Sequence, residues 1–162
     1  MLAARKKFWH EVYEALGMGL FFSLMVFGWG WMRQPQVEPL AWIGLILYAP
    51  AALLLIGSFV CLKTRGKPDK GWEETKSVVD TGVYRVTRHP MFLGSAMWTA
   101  ASLLMIQSYA ATALGLPAIL FFLLASKLEE SHNLKKFGEA YRTYMNGSRT
   151  WSFHVRPRKP AR

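Results

Sequence analysis

Three short segments carry residue types able to hold a small polar molecule. In Arg88-His89-Pro90-Met91-Phe92-Leu93-Gly94 a guanidinium and an imidazole stand immediately ahead of a proline. Proline is accepted in the first turn of a helix, so the charged pair falls at a helix N-terminus, where free N–H groups and the dipole favour an anionic group. Arg88 can engage a carboxylate at two points, and His89 can hydrogen-bond a ligand. Gly94, one turn in, removes side-chain bulk and admits a ligand or a neighbouring helix. Glu129-Glu130 places two carboxylates at the end of a long apolar run. Ionisable groups facing a membrane bundle's interior mark functional sites, and a carboxylate there suits an ammonium or a ribose hydroxyl. Phe137-Gly138-x-x-Tyr141-x-x-Tyr144 adds aromatic faces suited to walling an adenine. Each segment also has a plainer reading. Arg-His is an ordinary basic flank of a membrane helix, the glutamates a solvated face paired with Lys127, and the aromatics packing or interface anchors.

The elements that must position these residues follow from charge and hydropathy. The chain has 162 residues, is 52% hydrophobic and carries a net charge of +10. Its uncharged runs are long: 18 residues from Ala15 to Met32, 24 from Pro39 to Leu62 and 37 from Pro90 to Ser126. A spanning helix needs about 20 largely apolar residues. The first two runs are one span each, and the third is a hairpin of two, turning at Gln107-Ser108-Tyr109. The expectation is an all-α, polytopic membrane protein, one domain over 1–162, with four spans at about 15–32, 40–62, 90–106 and 110–128. With the N-terminus in the cytoplasm, segments 1–14, 63–89 and 127–162 hold 3, 7 and 9 Lys/Arg residues, 19 of the 20, and only Arg33 lies outside. The positive-inside rule then puts both termini in the cytoplasm.

Between the spans the chain is legible in outline. Residues 1–13 read as an amphipathic lead-in with Phe8, Trp9 and Tyr13 at the interface, and Trp29, Trp31 and Trp42 as an aromatic belt. A cleaved signal peptide would share the basic Arg5-Lys6-Lys7 start, but the bulky Phe21, Phe22, Trp29 and Trp31 and the lack of a small-x-small site argue against it. Thr64 to Gly71 is turn-rich, and Val78 to Arg85 reads as an ordered connection turning at Gly82. The last helix is expected to run on as a cytoplasmic extension until Asn146-Gly147, because two carboxylates would oppose the dipole of a helix ending beside them. On such a helix Glu130, Leu134, Phe137, Tyr141 and Tyr144 share one face. Cys61 is single, so there is no disulfide framework, and no Cys/His metal-ligand set is present. Gly17, Gly19, Gly44 and Gly57 are small-residue positions at which spans could self-associate, which leaves the oligomeric state open.

Gly82-Val-Tyr-Arg-Val-Thr-Arg-His-Pro-Met-Phe-Leu-Gly94, a hydrophobic hairpin, then Glu129-Glu-Ser-His-Asn-Leu-Lys-Lys-Phe-Gly-Glu-Ala-Tyr-Arg-Thr-Tyr144 together resemble the isoprenylcysteine carboxyl methyltransferase family and the broader group that includes phospholipid methyltransferases. The resemblance covers Val78 to Tyr144. It implies an S-adenosylmethionine-dependent methyltransferase whose cofactor-binding half is 78–145, on the cytoplasmic side. Tyr84, His89, Pro90, Phe92 and Gly94 would line one wall of the cofactor pocket, and Glu129, Glu130, Phe137, Tyr141 and Tyr144 the other. Arg88 would orient an anionic substrate or the cofactor carboxylate, and Glu130 would hold its ammonium or ribose. Phe92 stands where the family usually has Tyr, so one hydroxyl contact is missing. A lateral opening would admit a lipophilic or lipidated substrate from among the membrane lipids, most like an isoprenylcysteine carboxylate, with a phospholipid amine or small thiol as alternatives.

Three other readings compete. A sterol-reductase-like protein would share part of the C-terminal architecture but bind NADPH and carry more spans. A non-enzymatic membrane adaptor would use the two glutamates only to pair with basic residues. Nucleic-acid binding has little support, since topology already explains the basic charge and no nucleic-acid motif accompanies it.

Overall fold

The computed structural model describes residues 2–28, 37–67 and 75–147, with side chains from residue 8 onward. Trp29, Trp31, Arg33 and the 68–71 part of the turn-rich segment lie outside the described residues, as do the side chains of Arg5, Lys6 and Lys7. Five α-helices and one 3-10 turn make up the described chain, with no strand among the described residues: α1 (Leu2–Gly28), α2 (Glu38–Arg65), the 3-10 turn (Gly82–Arg85), α3 (Pro90–Ile106), α4 (Tyr109–Phe137) and α5 (Glu139–Asn146). The expected lead-in and first span are therefore one helix as far as Gly28. Among the described residues two helices, α2 and α4, are long and apolar enough to cross a membrane, and α3 is apolar but shorter.

The helices pack in the order α1–α4–α3–α2, so α1 lies against α4 and not against its neighbour in sequence. At one end Phe92, Ala118, Phe122 and Ala125 form a core with Tyr13, Met18, Leu20 and Phe21. At the other, Leu24, Ile106 and Ala111 meet Met25 and Leu103. Tyr13 thus faces inward, stacked on Phe121 at 5.9 Å, whereas Phe8, Trp9 and Trp42 are exposed. Small residues let the backbones approach. A Cβ at Gly44 would stand 2.8 Å from the Ala101 carbonyl oxygen, one at Gly57 would stand 2.6 Å from Val83, and one at Gly17 would stand 3.0 Å from Phe122. These three of the four glycines considered for self-association are occupied within the chain.

Apolar helices must satisfy any buried hydroxyl locally. Thr99 donates to the Ser95 carbonyl at 2.8 Å and Ser102 to that of Trp98 at 3.0 Å. The α3–α4 hairpin turns at Gln107, which adopts the left-handed region with φ 48°. Its amide clasps the Val37 main chain, accepting from the nitrogen at 3.0 Å and donating to the carbonyl at 2.9 Å. The turn is thereby tied to the start of α2.

One expectation about the last helix is corrected. It does not run unbroken to Asn146: Gly138, at φ 56° and ψ −128°, ends α4 and starts α5 at a new angle. Only glycine readily takes that backbone conformation. The stripe from Glu130 to Tyr144 is therefore split between two helices, and Tyr141 and Tyr144 form the buried face of the second.

Candidate functional site

The bend folds α5 back toward the segment that leads into α3. Tyr144 donates its hydroxyl hydrogen to the Tyr84 carbonyl at 2.7 Å, and its ring lies 5.7 Å from that of Tyr141. The 3-10 turn carrying Tyr84 is seated on α2, where Gly57 leaves room for Val83. Beneath this closure lies a cavity of about 840 Å³, bounded by α1, the Thr75–Val79 connection, the 3-10 turn, the start of α3, the polar end of α4 and α5.

At its floor is a charged cluster. His89 is the N-cap residue of α3, with a side chain only 1% exposed. Its Nδ1 lies 3.0 Å from Glu129 Oε2 and its Nε2 3.3 Å from Glu130 Oε1. Arg88 Nη2 sits 3.4 Å from the same Glu130 oxygen, and Asn133 donates to Glu129 Oε1 at 3.2 Å. With a carboxylate on each ring nitrogen, both must donate, which makes His89 an imidazolium. Burial pulls its pKa down, but the hydrogen bonds and charges of the two glutamates outweigh it and leave it raised. Glu129 answers in the opposite sense. Burial pushes it up, yet hydrogen bonds from His89 and Asn133 and the His89 charge hold it below the usual carboxylate range. Burial also lifts the phenols: Tyr141 is pushed up to about 12, and Tyr84 is raised further still. Both are neutral donors at any working pH.

Of the residues picked out in the sequence, Tyr84, Arg88, His89 and Phe92 line one side of this cavity, and Glu129, Phe137, Tyr141 and Tyr144 the other. Glu129 keeps 34% of its side chain accessible, so it is both braced and presented. Three residues are placed elsewhere. Glu130 turns to Arg88 and His89 and braces them. Pro90 is buried in the first turn of α3. Gly94 faces α2, where a Cβ would stand 2.9 Å from Leu55 Cγ and 3.1 Å from the Ala51 carbonyl oxygen; it serves helix packing. Phe92 is packed between two imidazoles, with ring centroids 6.2 Å from both His10 and His89. An apolar ring fits that position without the hydroxyl of the usual Tyr.

The sequence reading missed the contribution of α1. His10, Glu11 and Glu14 line the cavity, with Lys76 from the connection and His132 and Lys136 from α4. The one available signal was the spacing of His10, Glu11 and Glu14, which puts polar groups on a helix otherwise read as an interfacial lead-in.

Residues 40–140 match the sequence model of a phospholipid methyltransferase family. The match takes in α2, α3, α4 and the cluster around His89, and leaves out α1 and most of α5. Neither the curated proteins nor the solved structures compared with the chain include a match. With nearly two-thirds of its length covered, and with the Arg88–His89 and Glu129–Glu130 blocks folded onto one another, the chain belongs to the phospholipid methyltransferase family, part of the isoprenylcysteine and phospholipid methyltransferase membrane superfamily.

Proposed function

We propose that the chain is an S-adenosylmethionine-dependent methyltransferase embedded in a membrane by four helices, with both termini and the cavity on the cytoplasmic side, acting on a lipophilic acceptor. The carrying observation is the cavity itself, where the braced carboxylate of Glu129 shares a wall with Tyr141 and Tyr144 and faces Tyr84 on the other. Its volume of about 840 Å³ suits a nucleoside-sized molecule together with an acceptor's reacting end. Phe22, Val26, Ile46, Leu53 and Ile56 turn outward on α1 and α2, an apolar exterior that fits lipid better than water.

The donor set fits the cofactor. Glu129 suits its ammonium or ribose hydroxyls, the tyrosine faces its adenine and its cationic sulfonium, and Arg88 its carboxylate. Glu130 is assigned a bracing role, in place of direct contact, because its oxygen is taken by Arg88 and His89. When bound, the cofactor supplies a methyl group already activated on sulfur. What remains for the protein is to hold the acceptor in line and keep water away.

The family and the motifs support two acceptor classes, a phospholipid amine and an isoprenylcysteine carboxylate. The test is full-length protein in detergent, with S-adenosylhomocysteine binding measured by calorimetry for wild type, Arg88→Ala and Glu129→Gln. Methyl-labelled S-adenosylmethionine is then offered with phosphatidylethanolamine or N-acetyl-S-farnesylcysteine. Weakened binding in both variants and label in one lipid are expected. Wild-type affinity in both variants would sink the assignment, and a labelled carboxylate alone would exclude the amine.

A further inference from the structure

Resting on that methyltransferase reading, we propose that His10 is the group that takes the proton an acceptor sheds on being methylated, so that the acceptor is a protonated nucleophile, an amine, and not a carboxylate. His10 belongs to α1, outside the segment that matches the family. Its side chain is 20% accessible and lines the cavity. Glu14 Oε2 lies 3.9 Å from its Nδ1, which favours the proton on Nδ1 and leaves the lone pair on Nε2. That Nε2 is buried and has no hydrogen-bond partner among the described residues. A buried polar atom without a partner is rare enough to need a reason, and an N–H brought by a substrate supplies one. The nitrogen is covered by its neighbours, so the ring must turn about its Cβ–Cγ bond to receive that proton.

The contrast with His89 gives the assignment its direction. Both imidazoles lie against Phe92, with ring centroids 6.2 Å from it. His89 has a carboxylate on each nitrogen and is locked as a cation. His10 has none within hydrogen-bonding distance, and burial, reinforced by the positive His89, pulls its pKa down against the pull of Glu129 and Glu11. The charged and titratable groups that share its cavity are Glu11 and Glu14 from its own helix, Glu129, His132 and Lys136 from α4, Arg88 and His89 ahead of α3, Lys76 from the connection, and the phenols of Tyr84 in the 3-10 turn and Tyr141 and Tyr144 on α5. Two titratable groups of one type, driven to opposite protonation states in one site, mark a division of roles. The imidazolium braces Glu129, and the neutral imidazole is free to act as base.

The step balances. An ammonium N–H transfers its proton to His10 Nε2, which frees the nitrogen lone pair. That pair forms a bond to the methyl carbon as the carbon–sulfur bond breaks and the sulfonium donor becomes a neutral thioether. The methylated ammonium leaves, and His10 returns its proton to water. A carboxylate acceptor is already ionised and would give His10 nothing to do.

The experiment uses full-length protein in detergent with phosphatidylethanolamine as acceptor. His10→Gln should lower kcat by about 100-fold or more, with S-adenosylhomocysteine affinity unchanged. The wild-type loss of activity toward acid pH, as His10 becomes protonated, should vanish from the variant's profile. In His10→Ala, added imidazole should restore part of the rate. Apart from turnover, phosphatidylethanolamine should shift the His10 ring resonance of histidine-labelled protein, identified by its loss in His10→Gln, whereas N-acetyl-S-farnesylcysteine should not. A variant with wild-type kcat and acid limb overturns the proposal alone, as does lost S-adenosylhomocysteine binding in both His10 variants or methylation of the farnesylcysteine only. Wild-type protein that binds no S-adenosylhomocysteine overturns the methyltransferase reading, and the proposal with it.

Discussion

The Tyr144 hydroxyl donates to the Tyr84 carbonyl at 2.7 Å, joining residues 60 apart in the chain. A helix of eight residues such as α5 does not hold its shape alone, so this bond and the burial of Tyr141 and Tyr144 are what dock it. Tyr144→Phe keeps the ring and removes only the donor, which leaves the Tyr84 carbonyl without it. The expected cost is about 0.5–1.5 kcal/mol of stability, together with weaker S-adenosylhomocysteine binding, because the cavity's outer wall loosens. Denaturant titration and calorimetry read the two. Unchanged binding with reduced stability would separate the bond from the site.

Gly138 and Gly19 make a matched pair. A Cβ added at either would meet nothing within 4 Å, yet Gly138 has φ 56° and Gly19 lies within α1. Any effect of alanine is therefore a backbone effect. Gly138→Ala should destabilise by about 1–3 kcal/mol through strain, and Gly19→Ala should stabilise by about 0.5–1 kcal/mol by restricting the unfolded chain. Thermal melts of the two variants in one detergent decide the matter, and equal shifts would show that the bend at Gly138 is not held by its dihedral angles.

That bend also marks the boundary of what the residues alone reveal. The length of the apolar run from Pro90, with its polar midpoint at Gln107-Ser108-Tyr109, places α3 at 90–106 and the turn just after it, which is where they lie. The resemblance carried by the two motif blocks implies that Arg88-His89 and Glu129-Glu130 meet, and their side chains are in contact. The division of labour within each pair is not readable that way. Whether Glu129 or Glu130 faces the cavity depends on a rotation of about 100° per residue about the α4 axis, and whether Gly94 meets a ligand or a helix depends on where α2 packs. The role of α1 was hidden for a related reason: its partner is α4, more than 80 residues away, and no local pattern announces a distant neighbour.

Gln107 should matter to stability more than its place in a turn suggests. Its amide meets both polar atoms of the Val37 main chain and also donates to the Leu104 carbonyl at 2.9 Å. Gln107→Gly removes these bonds while easing the left-handed backbone, and Gln107→Ala removes them and keeps the strain. Losing the amide should cost about 1–2 kcal/mol in either variant, with alanine worse than glycine by about 1 kcal/mol. Equal melts for the two would mean that the backbone at this residue relaxes out of the left-handed region.

The His89–Glu129 pair predicts a stability optimum with two limbs. The pKa of His89 is raised in the folded chain from its ordinary 6.5. Its contribution is therefore complete below 6.5 and disappears as pH climbs through the higher folded value. Glu129 is lowered from its ordinary 4.5, so its contribution is complete above 4.5 and disappears as pH falls through the lower folded value. Both are whole between pH 4.5 and 6.5. His10, held neutral by burial, works against stability as it charges toward acid, and it does so less in a His89 variant, where the positive charge that helps keep it neutral is gone. The difference between wild type and His89→Asn therefore reads the pair, with the change at His10 narrowing the gap further on the acid side. That difference should be widest, about 1.5–3 kcal/mol for a buried charged hydrogen bond, between pH 4.5 and 6.5, and should narrow on both sides. Melting curves across pH 3 to 10 test it. A gap that grows steadily toward alkaline pH would mean that His89 is neutral in the fold and that the two carboxylates are held apart by something else.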